Sequence, residues 1–159
     1  MPRADYADYR TETEALEALV GLVSHGMEAV RDVRINPFLP TAERAARPKE
    51  ALFWRSGKTV DALAGNLAGM KALLEASKLA DALPADQSWM GGEALFEFSN
   101  AANAASAAQG AIADVLADPE KRAKLAYFGL VTSSLSDIFG TQMSGALGLT
   151  AGFSSLDGD

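Results

Sequence analysis

The sequence predicts an all-α protein, an up-down-up-down four-helix bundle with a short extra helix and an ordered C-terminal tail. Three observations carry this. Apolar residues recur at alternating steps of three and four through four long stretches, the spacing that lines one face of a helix. Val and Ile are few, and no alternating run bounded by hairpin turns occurs, so no strand pattern competes. Finally, Asp118-Pro119-Glu120 restarts a helix so soon after the preceding one that the two must lie antiparallel as neighbours. The chain of 159 residues is expected to form one domain, spanning 1–159, with a core of its own.

The first helix is expected from about Ala4 to about Val33, with Tyr6, Tyr9, Thr13, Leu16, Val20, Val23, Met27 and Val30 on one face. Thr11 and Glu14 form a T-x-x-E capping box that marks an alternative start at Glu12. The unbroken stripe through Tyr6 and Tyr9 favours the earlier one. Asn36, just before Pro37, is pushed out of helical geometry and ends the element. Pro37, Pro40 and Pro48 make the next stretch irregular, and Pro48 suits the first position of a short helix, Lys49 to Trp54. Ser56 is the expected N-cap of the second helix, Lys58 to about Ser77, which carries Val60, Leu63, Leu67, Met70 and Leu74 on one face.

Leu79 to Leu83 reads as one extra turn, closed by Pro84, and Ala85 to Gly92 as a loop. The third helix, about Glu93 to Ala117, is the expected centre of the bundle. Leu95, Phe98, Ala102, Ala105, Gln109, Ile112 and Leu116 share one face, and its small middle lets a neighbouring backbone come close. The fourth helix runs from Pro119 to about Ala146, capped by Asp118. Its inward residues are Leu125, Phe128, Thr132, Leu135, Phe139, Gln142 and Ala146. Gln109 and Gln142 fall on inward seams, where they are expected to bond each other or Asn103 and Ser106.

The formal charge of −7 argues against nucleic acid and anionic membrane surfaces as partners. The nearest thing to a basic patch, Arg44, Arg47 and Lys49, is interrupted by Glu43 and Glu50 and reads as a solvated loop. The chain has no cysteine, which excludes disulfides, thiolate chemistry and cysteine-ligated metals. No window reaches the ~18 apolar residues of a transmembrane segment. The N-terminus lacks the apolar core of a signal peptide, so an exported protein would carry its signal outside this chain.

His25 is the single histidine, and Glu28 lies three residues on, so both project from one side of the first helix. That side is roughly opposite the Val20, Val23 and Met27 stripe. A metal there would need ligands from elsewhere. The H-E-x-x-H of zinc peptidases, the G-x-S-x-G of serine hydrolases and the paired E-x-x-H of di-iron bundles are all absent. Asp157 and Asp159, with the terminal carboxylate, either chelate a hard cation or form a plain acidic end. Phe153 and Leu156 argue that the tail docks on the bundle, where Asp157 would cap a helix end or pair with Arg55.

The tail Gly152-Phe153-Ser154-Ser155-Leu156-Asp157-Gly158-Asp159, after a helix ending in Ala146-Leu147-Gly148-Leu149, resembles the closing segment of the imelysin family. Trp54-Arg55-Ser56-Gly57-Lys58-Thr59, followed by the Leu63 and Leu67 helix with Asn66 and Gly69, resembles that family's entry into a bundle helix. The resemblance implies a bacterial periplasmic or cell-envelope protein linked to iron acquisition, from a family named for insulin-cleaving peptidases. It implies a fold of two four-helix bundles, of which this chain supplies the second. The family signature G-x-H-x-x-E is matched by His25 and Glu28, with Val23 in place of its glycine.

Three functions are thereby expected as alternatives. One is a non-catalytic envelope module that serves iron uptake through metal or partner binding. Another is a metal-dependent peptidase using His25 and Glu28, and the last a helical interaction domain with no small ligand. The implied cofactor is iron or another divalent metal, held by His25 and Glu28 or by Asp157 and Asp159. The implied partner is a second helical bundle, from a missing half or a second copy, or another envelope protein.

Overall fold

A computed structural model describes residues 9–149, and every described element is helical. Helix α1, Glu12–Ala29, continues into a π-helical segment, Val30–Ile35. After an irregular stretch come two single 3-10 turns, Pro48–Glu50 and Trp54–Ser56, and then α2, Thr59–Ser77. Two more 3-10 turns lead to α3, Trp89–Ala107, followed by the short α4, Ile112–Ala117. Helix α5, Pro119–Asp137, passes through a second π-helical segment, Ile138–Met143, into α6, Ser144–Ala146.

The four long rods alternate in direction, and the paired residues show it. On α1 and α5, Ser24 meets Ser136 and Arg31 meets Ser133. Arg34 meets Asn66 between α1 and α2. The rings of Phe98 and Phe139 lie 6.4 Å apart across α3 and the end of the α5 rod, whereas Lys121 donates to the carbonyl of Gln109 at the opposite end. Helix α5 packs along both α3 and α1, α2 packs on α3, and α1 touches α2 least. The expected up-down-up-down order is therefore present. Its core holds Phe38, Phe128, Phe139, Met27, Ile35, Leu125 and Leu135, all fully buried. Burying each such side chain contributes about 1.5–3 kcal/mol.

Several boundaries differ from the sequence expectation. Residues 9–11 are not helical, and the α-helix starts at Glu12. Thr11 sits in extended geometry and accepts the Glu14 N–H, while Glu14 accepts the Arg10 N–H. Two capped donors outweigh the extra stripe of Tyr6 and Tyr9, of which Tyr6 lies outside the described residues. The short helix expected at Lys49 to Trp54 is instead the two 3-10 turns, separated at Phe53, whose φ of 60° is left-handed. Ser56 does not cap α2. Its hydroxyl donates to Phe53 O, and Thr59 Oγ1 donates to Leu52 O.

The loop expected up to Gly92 ends at Ser88, and Gly91 and Gly92 lie inside α3. The third helix is broken between Ala107 and Ile112, with Gly110 at φ 142°. Ile112, Val115 and Leu116 still reach the core, so the apolar stripe runs across a break it does not reveal. Ala102 and Gln109 are exposed, and the buried face of α3 is Ala94, Phe98, Ala101, Ala104 and Ala105. Gln142 is half-buried and donates to Asp137, not to Gln109, whose side chain lies toward Asp61. The alanines do not draw a backbone close throughout. Ala64, Ala68, Ala102 and Ala105 border a groove of about 300 Å³ floored by Phe98 and Phe128.

Candidate functional site

The row Ser24, Glu28, Arg31, Ile35 runs along α1 at steps of four, three and four, the side that faces α5. Opposite stand Ser136, Ser133 and Gly129. The upper part of this seam is polar. Ser24 Oγ donates to the Ser136 carbonyl at 3.2 Å and lies 3.2 Å from Ser136 Oγ. The Ser136 hydroxyl donates to Glu28 Oε1, also at 3.2 Å. Both serines are buried, so each hydroxyl needs the partner it has.

One turn on, Arg31 forms a fork with Asp32, Nε to Oδ1 at 2.8 Å and Nη2 to Oδ2 at 2.7 Å, and its Nη1 donates to Ser133 Oγ. Asn36 donates to the same carboxylate. The hydrogen bond from Arg31 holds the Asp32 carboxyl below its ordinary range, and Asp32 in turn raises Arg31. Glu28 adds its charge to the stabilisation of the guanidinium. The seam passes close to Gly140. A Cβ there would stand 2.6 Å from Ser24 Oγ.

His25 is half-buried on α1, with its ring Cε1 beside Gly21. Glu28 turns toward the α5 edge of the same helix. The two lie three residues apart on one flank of α1. As donors they offer one imidazole nitrogen and one carboxylate, fewer than the three or four protein ligands a metal ion usually takes. Among the described residues, no three His, Cys, Asp or Glu side chains gather where one ion would meet them. The pair therefore does not complete a metal site from residues 9–149. Asp157, Asp159 and the proposed Asp157–Arg55 pair lie outside the described residues. Arg55 itself stacks on Trp54, its Cζ 5.1 Å from the ring centroid.

Sequence reading missed Ser24, Ser133 and Ser136. The signal was present in part, because Ser24 shares a face with Glu28 and Ser133 and Ser136 are spaced by three. Nothing in the sequence showed that these two faces meet. No described helix is long and apolar enough to cross a membrane. In comparison with known proteins, residues 2–137 match a family model described as Imelysin. No curated protein and no solved structure matches the chain.

Proposed function

The chain belongs to the imelysin family, and from that premise we propose that it is a non-catalytic envelope module acting in iron uptake through binding. The family match carries this reading, because it spans the His25 and Glu28 pair. Those residues place a nitrogen and an oxygen donor on one flank of α1, and the α5 seam holds the oxygen donor in place. An iron or other divalent ion would take its remaining ligands from a second bundle, whether a missing half or a second copy, or from Asp157 and Asp159. The same premise supports a periplasmic or cell-envelope placement.

Titration of the full chain with ferrous iron and zinc by calorimetry tests this. Micromolar binding that His25→Ala abolishes is the expected result. Absence of binding, with a protein that stays monomeric in light scattering, refutes it. The alternative is a metal-dependent peptidase using His25 and Glu28, the nitrogen and oxygen donors three residues apart on α1. Peptide hydrolysis that vanishes in His25→Ala would replace the first reading with the second.

A further inference from the structure

The loop between α1 and α2 has features that the packing of the bundle does not require. At its tip Leu52 and Phe53 are adjacent and exposed, at 45% and 52%. Phe53 has φ 60° and ψ 23°. Left-handed backbone is costly for an aromatic residue, and such strain gathers where a segment has work beyond folding. The turn closes on Gly57, also left-handed at φ 67°.

The carbonyls of the tip are all satisfied from within. The Trp54 N–H donates to Ala51 O at 3.3 Å, and Thr59 Oγ1 donates to Leu52 O at 2.7 Å. Phe53 O accepts from the N–H groups of Ser56 and Lys58 and from Ser56 Oγ. A tip built this way enters the headgroup boundary without stranding these acceptors, and the Leu52 and Phe53 N–H groups, which make no backbone bond among the described residues, are left to donate to lipid oxygens.

Around the tip the charge reverses. Residues 43–61 hold five cations, Arg44, Arg47, Lys49, Arg55 and Lys58, against three carboxylates, Glu43, Glu50 and Asp61, a local excess of positive charge in a chain of net −7. The two 3-10 turns, which carry Lys49 and Arg55, pack on each other. Arg44 turns inward to the carbonyls of Asn36 and Leu39, and Arg47 and Lys58 make exposed pairs with Glu50 and Asp61. Lys49 and Arg55 face no carboxylate among the described residues. Because charges are screened beyond about 8 Å at physiological salt, a surface touching this loop meets its local sign rather than the net charge of the chain.

We propose that residues 44–58 dock the protein on an anionic lipid surface, with Leu52 and Phe53 entering the headgroup boundary and the basic residues meeting lipid phosphates. An apolar tip in a basic collar is the chemistry of interfacial attachment, without a membrane span. An acidic protein partner would also meet the cations. The adjacent exposed Leu52 and Phe53 favour the lipid, because an apolar interior beneath a layer of phosphates takes up both the apolar pair and the cations beside it. This attachment is separate from the His25 and Glu28 flank and stands whether or not that flank binds a metal.

The test is sedimentation of the full chain with vesicles of phosphatidylcholine alone and of phosphatidylcholine mixed with phosphatidylglycerol. Partition onto the mixed vesicles is expected, weakening as salt rises. It should fall roughly fivefold in each of Lys49→Gln and Arg55→Gln, and on the order of tenfold or more in Phe53→Asn. Asn tolerates left-handed backbone, so Phe53→Asn should keep or raise the unfolding midpoint, and Leu52→Ser serves as a second tip variant. Absence of partition overturns the proposal, as does equal partition onto both vesicle types. Retention on an immobilised polyglutamate peptide without vesicle binding also overturns it, and assigns the loop to an acidic protein.

Discussion

Replacing Gly140 by alanine tests whether the polar seam between α1 and α5 is as tightly built as it looks. The added methyl would lie 2.6 Å from Ser24 Oγ and 3.4 Å from Ser24 Cβ. The hydroxyl must move, and it then forfeits its contacts with the Ser136 carbonyl and hydroxyl. At about 0.5–1.5 kcal/mol per bond the loss is about 2 kcal/mol, with further strain from overpacking. Alanine in a helix recovers about 1 kcal/mol relative to glycine. Gly140→Ala should therefore destabilise by about 1–2 kcal/mol, against the usual direction of that substitution. Ser24→Ala alone should cost about 2 kcal/mol through the same bonds. In the double variant the clash is gone and the helical gain remains, so it should lie only about 1 kcal/mol below wild type. Urea unfolding at constant slope measures all three. If Gly140→Ala is as stable as wild type, or the two single effects add, the seam does not work as described.

Asp118→Ala removes the side chain that accepts the N–H groups of Glu120 and Lys121, and should lower stability by about 1 kcal/mol in urea unfolding. Phe38→Ala should cost about 3–5 kcal/mol by the same measurement, because the ring is fully buried just past α1. Asp32 titrates below its ordinary value when folded, owing to Arg31. Its contribution is thus fully present above about pH 3.9 and is lost as pH falls through the lower folded value. Acid unfolding of Asp32→Asn should show a shallower fall in stability below that point. An identical acid limb in both proteins would show that the fork adds nothing to folding.

The sequence was most legible where a local rule acts alone. Asp118 before Pro119 caps α5 as expected, and Pro48 opens a turn. It was least legible where periodicity spoke over local chemistry. The stripe through Tyr9 concealed the stronger start at Thr11, and the row from Ala105 to Leu116 concealed the break at Gly110. Gln109 and Gln142 looked inward on a regular wheel, but the break and the π-helical segment each rotate the residues beyond them. Of the candidate site, His25 and Glu28 were readable as a pair on one flank of α1. The hydroxyl that meets Glu28 comes from a residue 108 positions away, and no spacing rule reaches that far. Phe53 gave no sign at all, because nothing short of the backbone angles shows an aromatic residue in left-handed geometry.

The long join between the first and last rods has a kinetic corollary. Ser24 and Ser136 are separated by 112 residues, and the contact of α1 with its sequence neighbour α2 is slight. The remaining rods can zip together through short connections, whereas the N-terminal one must find its mate across almost the whole polypeptide. Contacts of such sequence separation are slow to form because chain closure precedes any reward. Late docking of the N-terminal rod is the expected order, and variants in Ser24 or Ser136 should then speed unfolding more than they slow folding.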